Sequence, residues 1–319
     1  MWHLIWNEKI QLFRVGLVLM LLGVIATLPA CTKSETVAAG DEPQSKFESP
    51  EEAGTALLQA AKAGNQAALI AIFGPSAKAI VFSGDPAMDQ NALKDFATAY
   101  ETMHRWGKIK AGGEMLYIGA ANFPFPVPLL QNTSGKWYFD TGAGMDEILA
   151  RRIGRDELVA IAAVAALANA EQEYFNQADN KVKQYAQKFV SDEGTHNGLY
   201  WSAPDGSTQS PLGQLGHFAK GAGYMMTGGK PQPFHGYYFR ILTKQRDSKG
   251  AVKDYVVNGN MTGGFAILAY PAEYQNSGVM SFLIGTDGVV YEKDLGEKTV
   301  DIASTMTEYD PGRGWKPVK

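Results

Sequence analysis

The chain has 319 residues, 45% of them hydrophobic and 19% charged, with 33 acidic side chains against 29 basic ones and a net charge of −4. This is globular composition at a length that suits two domains, and a net acidic chain has nothing to draw in a polyanion, so nucleic acid is excluded as a partner. One cysteine, Cys31, rules out an internal disulfide and any thiolate metal cage.

Residues 1–30 read as a secretory address. Lys9 and Arg14 make a short basic region, and Val15–Ala30 is an uncharged, nearly continuous apolar run. A run of about sixteen residues is short of the ~20 needed to cross a bilayer. A short basic region, a short apolar region and a small residue before the cut describe a signal peptide. The run ends Leu28-Pro29-Ala30-Cys31, which resembles the lipobox of bacterial lipoproteins. That resemblance implies acylation of the Cys31 thiol and a mature chain that starts there. Thr32 follows, with no aspartate, which by the sorting rule of such lipoproteins implies the outer membrane, facing the periplasm. Residues 31–47 are small and polar and read as a flexible tether.

The first folded region is expected at 48–153. Ser49-Pro50-Glu51-Glu52 is a helix start with the pattern of a capping box, followed by an Ala/Leu-rich helix to Ala63 and a second helix over Gln66–Phe73. Ala79–Phe82 reads as a short strand. Asn91–Trp106 reads as a third helix, with His104 and Trp106 at its end. Asp85 and Asp89 flank Pro86 and suit turn and cap duty. Strands are expected over Glu114–Gly119, Phe125–Leu130 and Lys136–Asp140. Helices followed by antiparallel strands make an α+β layer, and the order resembles the cone of nuclear-transport-factor-2-like domains.

The second region is expected at 154–319. Thr141–Ile153 reads as a turn entering a short helix, then Arg155–Lys183 as a longer one. Its inward stripe is Leu158, Ile161, Ala165, Ala168 and Phe175. Beyond a glycine-rich stretch, strands are expected at Phe234–Thr243, Tyr255–Val257, Phe265–Tyr270, Val279–Ile284 and Val289–Tyr291. Asn258-Gly259 and Asp287-Gly288 mark hairpin turns. Met280, Phe282 and Ile284 share one face, and the long helix is the obvious cover. The order of helix, loop and meander, ending in Ser277–Tyr291, resembles the globular half of type IV pilin-like and pseudopilin proteins. It lacks their N-terminal methylation segment.

Several stretches together resemble a bacterial family known as domain-of-unknown-function family 2950. They are Phe47–Ala53, Ser83-Gly84-Asp85-Pro86, Gly198-Leu199-Tyr200-Trp201, Ser210-Pro211-Leu212-Gly213, His235–Thr243 and Asp287–Gly296. The resemblance runs from about 47 to 315 and implies no activity. Gln245-Arg246 departs from it, where a glycine is expected.

No reactive constellation stands out. There is no Gly-x-Ser-x-Gly elbow, no His-x-x-x-His pair, and the five histidines are scattered. Two weaker groupings remain. Asp192, Glu193, His196, Tyr200 and Trp201 form a polar and aromatic loop that could meet a sugar or a peptide, although a packed loop explains it as well. Asp287, Glu292 and Asp294 offer three carboxylates to calcium, against plain turn chemistry. The reading is therefore an envelope protein tied to the membrane through Cys31, binding an envelope protein or a ligand without catalysis. The alternative is a hydrolase or ligand-binding enzyme with its pocket in the first region.

Overall fold

A computed structural model describes residues 44–110, 112–177, 182–203, 207–221, 232–247 and 249–319. The predicted signal peptide, Cys31 and the first part of the tether lie outside the described residues. The described residues belong to one compact unit, Asp41–Lys319.

The chain is tied into the fold earlier than the tether prediction allows. The Gln44 amide donates to Ile72 O at 3.0 Å and to Phe139 O at 2.7 Å, and Phe47 is buried against Trp137 as a strand-like bridge. Helices α1 (Pro50–Lys62) and α2 (Gln66–Phe73) start where their caps predict. Ser49 Oγ accepts from Glu52 N and Asn65 Oδ1 from Ala68 N, each meeting one otherwise orphaned amide. Next comes α3 (Lys78–Val81), entered through a 3-10 turn at Pro75–Ala77, then α4 (Pro86–Thr102) capped by Asp85. The strand expected at Ala79–Phe82 is thus helical. Pro75 sets a turn geometry that outweighs the β-branched pair Ile80-Val81.

Strands β1 (His104–Lys108), β2 (Glu114–Ile118), β3 (Phe123–Pro124), β4 (Leu129–Gln131) and β5 (Trp137–Phe139) build an antiparallel sheet. Its order is β1-β2-β4-β5, with β3 on β2. His104 and Trp106 therefore sit on a strand, not on the end of a helix: Met103 turns extended at φ −165° and ends α4. The expected strand Phe125–Leu130 is broken by Pro126 and Pro128, which cannot donate to a ladder. Helices and sheet enclose a first core that includes Leu57, Leu69, Phe73, Leu129 and Phe139.

α5 (Thr141–Asn176) is one continuous helix of 36 residues, about 54 Å long at 1.5 Å per residue. The expected break near Ile153 does not occur. Its buried stripe runs through Arg152, Asp156, Ala160, Ala163, Leu167, Glu171 and Tyr174. Of the expected stripe, Ala168 is buried and Ile161 packs on the core, but Leu158 is 70% exposed and the charged Arg152 and Asp156 are buried in its place. Apolar residues on two faces of the helix made the stripe ambiguous, and the polar members of the true stripe masked it.

The remaining elements are α6 (Gly213–Gly221), β6 (Tyr237–Leu242), β7 (Lys244–Arg246), β8 (Val252–Asp254), β9 (Val256–Val257), β10 (Asn260–Met261), β11 (Ala266–Pro271), β12 (Met280–Gly285), β13 (Tyr291–Asp294), α7 (Thr299–Thr305), β14 (Glu308–Tyr309) and β15 (Lys316–Pro317). The second sheet has the antiparallel order β15-β13-β12-β11-β6. Every residue of β11 is buried, so both faces of the sheet are covered, and α5 and α7 both pack on that strand. One helix could not do this. A second core, centred on Tyr237, Ile267, Leu268, Phe282 and Leu283, is separate from the first. No helix among the described residues is long and apolar enough to cross a membrane.

Two glycines should respond to alanine with opposite signs. Gly154 lies in mid-α5 with open space around it, so Gly154→Ala should stabilise by about 0.5–1 kcal/mol. A Cβ at Gly278 would overlap the buried Tyr237 hydroxyl, so Gly278→Ala should cost about 1–3 kcal/mol. Urea unfolding midpoints would show both, and equal effects would contradict the packing described.

Candidate functional site

Where the two cores meet, the contacts turn polar. The Ser83-Gly84-Asp85-Pro86 turn, the middle of α5, the His235-Gly236 turn and the Glu273–Ser277 turn converge here. Asp85 is 1% exposed and works twice. Its Oδ1 accepts from Met88 N at 3.0 Å, capping α4, and its Oδ2 accepts from Gly236 N at 3.1 Å, across 151 residues of sequence. Arg152 donates through Nη1 to Asn276 Oδ1 at 2.5 Å and through Nη2 to Ile80 O at 2.6 Å. Asn276 in turn donates to Phe82 O and to Glu273 Oε2. Glu157 accepts from Val279 N and Met280 N, holding the start of β12.

Asp156, one turn beyond Arg152, is fully buried. Its Oδ1 accepts from Arg155 Nε at 3.0 Å, while Oδ2 has no hydrogen-bond partner among the described residues. Burial pushes this carboxyl up to about 6 against the pull of Arg155. Burial also lowers the His235 imidazole, against the pull of Asp85. Gly236 is required: its φ is +73°, and a Cβ there would come within 2.8 Å of Ser277 Cβ and 3.1 Å of Asp156 Oδ2. His235 and Gln275 also have positive φ, at 48° and 61°, so strained backbone gathers at this seam.

The hydroxyls nearby are committed locally. Ser277 Oγ donates to Glu273 O and Ser83 Oγ to Asp85 O. This arrangement holds the segments that meet here in one orientation.

The predicted binding loop is packed on itself. Lys188 Nζ lies 2.5 Å from Asp192 Oδ2 and Asn197 Nδ2 2.8 Å from the same oxygen, which together hold the Asp192 carboxyl below its usual range. The His196 ring stacks on Trp201 at 4.3 Å. Trp201 and Tyr200 are nearly buried, Trp201 Nε1 donates to Thr208 O, and Glu193 is exposed. The loop does border a pocket of about 290 Å³ reached through Asn197 and Lys188. A second cleft, about 450 Å³, lies in the first region between Lys46, Gly74-Pro75-Ser76 and Tyr138–Gly142.

The predicted calcium carboxylates are used separately. Asp287 Oδ2 accepts from Tyr309 OH at 2.8 Å and Tyr291 OH at 3.2 Å, and Asp294 accepts from Gly296 N and Tyr274 OH. Glu292 sits on β13 opposite Phe282. Among the described residues no group of three or more His, Cys, Asp or Glu side chains is placed to hold a metal ion.

Sequence reasoning gave Asp85 its cap but missed Arg152, Asp156, His235 and Asn276 as a group. The available signal was a charged pair, Arg152 and Asp156, four apart on a helix that must bury one face. Glu171 is a similar case further along α5. It is fully buried, its Oε2 accepts from Ala186 N at 2.8 Å, and burial pushes it up to about 8.

Residues 44–318 match the family described as "Protein of unknown function (DUF2950)", and the chain belongs to that family. No curated protein and no solved structure matches it.

Removing Arg152 would strand the acids around it. Arg152→Ala should cost about 3–5 kcal/mol in chemical denaturation, and a loss below about 1 kcal/mol would show that the seam is not a joint. Glu171 gives a pH signature. Its folded pKa exceeds its unfolded value, so the folded chain alone keeps this proton between about 4.5 and 8. Stability from this group is complete below 4.5 and is lost as pH rises through 8. Glu171→Gln should flatten the decline of melting temperature across that window.

Proposed function

We propose that the chain is a lipid-anchored protein of the bacterial envelope that works by binding, not by catalysis, with the outer membrane as its site and the periplasm as the space it faces. The observation that carries this reading is the position of the one cysteine, directly after Leu28-Pro29-Ala30 at the end of a short apolar run. Its thiol is the group a diacylglyceryl thioether requires, and several acyl chains, each contributing about 0.8 kcal/mol per buried CH₂, make anchoring stable. The family match supports it from the other side: it begins at residue 44, past the predicted signal peptide and most of the tether.

In this reading residues 48–153 form a cone-like domain similar in layout to nuclear-transport-factor-2-like folds. The support is the packing of α1 on α4 and of α4 on β1 and β2. Residues 154–319 form a pilin-like domain, supported by the passage of α5 across β11 and β12. The partner is an envelope protein or an envelope ligand.

The enzyme alternative has one observation in its favour, the 450 Å³ cleft in the first region, a size typical of small-ligand sites. Two of its polar groups are already engaged. Asp140 Oδ1 caps α5 at Ala143 N, and Thr141 Oγ1 donates to Phe73 O. Among the described residues its walls contain no histidine or cysteine, which suits binding better than hydrolysis.

The test is acylation. Labelling with a radioactive fatty acid should mark the native chain, and mass spectrometry should place the lipid on Cys31 as the first residue. Cys31→Ser should stay unlabelled and accumulate as a precursor of higher mass. Unchanged mobility and fractionation of that variant would remove the anchor.

A further inference from the structure

We propose that the pocket between the C-terminal part of α5, residues 184–188 and the β9–β10 turn takes a neutral, polyhydroxylated ligand, one or two sugar units of a glycan. The inference rests on the binding reading above and names the ligand class.

The lining carries the case. Gln184, Gln187, Asn197 and Asn260 line it with amides and Tyr185 with a phenol. Asn197 is held by Asp192 and Thr195, and the Gln187 and Asn260 nitrogens donate to Gly259 O and Asn258 O. That leaves the carbonyl oxygens of Gln187 and Asn260, the Gln184 amide and the Tyr185 hydroxyl. An amide offers donors and an acceptor side by side, and a phenol offers one of each, which matches a sugar hydroxyl that is itself both. The Gln184 amide and the Tyr185 hydroxyl make no hydrogen bond with another described residue, so both remain to be used. Among the described residues the one charged lining side chain, Lys188, is held 2.5 Å from Asp192, so an anion would have to break an ion pair to claim it. Among the described residues no aliphatic side chain lines the pocket. A peptide seeking a side-chain socket finds none, since peptide recognition needs apolar pockets or a free strand edge. At about 290 Å³ the pocket stands at the small end of ligand sites, which run from about 300 to 1,000 Å³.

The pocket is also built rigidly. Tyr185 N donates to Met261 O at 2.9 Å and Ala186 N to Glu171 Oε2 at 2.8 Å, while Gln187 Nε2 donates to Gly259 O at 2.9 Å. Tyr185 is clamped between Phe175, at 4.6 Å, and Phe265, at 5.0 Å. The opposite rim is the tight turn at Asn258 and Gly259, whose φ values of 50° and 80° present Asn260. Walls fixed in advance lose little entropy when a ligand arrives.

The full acylated chain, held in a detergent without a sugar headgroup, would be titrated with N,N′-diacetylchitobiose and with cellobiose by calorimetry and saturation-transfer NMR. A dissociation constant of about 1 mM or lower is expected for one of them, weakened about tenfold or more by Gln184→Ala with Asn260→Ala. Asp95→Ala, exposed on α4 and far from the pocket lining, should leave binding unchanged. If the double variant loses its fold, Tyr185→Phe removes one hydroxyl and should weaken binding about threefold or more. The proposal is overturned if neither disaccharide saturates a folded chain, if the pocket variants leave binding unmoved, or if tri-alanine binds more tightly and competes. An acylated chain that binds no disaccharide would sink this inference alone. An unacylated chain that binds one would sink only the anchoring.

Discussion

The carboxylate of Asp85 is claimed by two parts of the chain at once, and much of the architecture depends on that double claim. One oxygen closes the first turn of α4, and the other reaches Gly236 at the entrance to β6. Beside it, Arg152 ties α5 to the carbonyl of Ile80 and to Asn276. Hydrophobic contact is non-directional, so two separate cores joined by apolar surface could slide. Hydrogen bonds to buried charges fix distance and angle, and an unmade one costs more than it returns when made. We read the seam as a device of orientation first and of stability second, as buried polar groups serve in other systems.

This explains why unusual backbone collects there. For Gly236 N to reach Asp85, the chain must turn with two successive residues at positive φ, His235 and Gly236. The same turn brings Gly236 so close to Ser277 and Asp156 that no side chain fits. Other stretches singled out in the sequence meet in the same way. Leu212 N donates to Leu199 O, joining the Gly198–Trp201 and Ser210–Gly213 stretches, and the Tyr200 ring fills the space a side chain at Gly216 would need. Asp287 takes the hydroxyls of Tyr291 and Tyr309, pinning β14 to the last hairpin. The stretches that looked most particular in the sequence are joints between distant segments.

Joints of this kind explain what could be read from the chain and what could not. The caps of α1 and α2, the strands β11 and β12 and the Asp-Gly hairpin were legible because each depends on neighbours within a few residues. The α3 turn was misread because Ile80 and Val81 favour strands locally while Pro75 and the first core decide otherwise. Leu158 was placed inward on helical period, yet the structure buries Arg152 and Asp156 instead. A charge is counted as outward by any rule that lacks its partner, and here the partners come from residues 80–89 and 236–277. The pocket between α5 and the β9–β10 turn was not legible, because the amides that line it come from three separate segments, 184–187, Asn197 and Asn260, with no local pattern.

α5 links the two polar regions physically. Asp156 at the seam and Glu171 behind the pocket wall lie on one buried stripe, fifteen residues and about 22 Å apart on an unbroken helix. Burial raises both acids, Asp156 to about 6 and Glu171 to about 8. Each contributes stability that is lost as pH rises through those values. His235, lowered by burial, acts in the opposite sense, adding stability as pH rises toward its ordinary range. At the seam Asp89, also raised by burial, acts in the same sense as Asp156, and the His235 imidazole acts against both. At the pocket wall Glu171 faces no charged partner among the causes of its shift, so its slope is unopposed. At the pocket end of α5 the pH response should come from Glu171, whose carboxyl accepts from Ala186 N and so holds the segment that carries Tyr185 and Gln187.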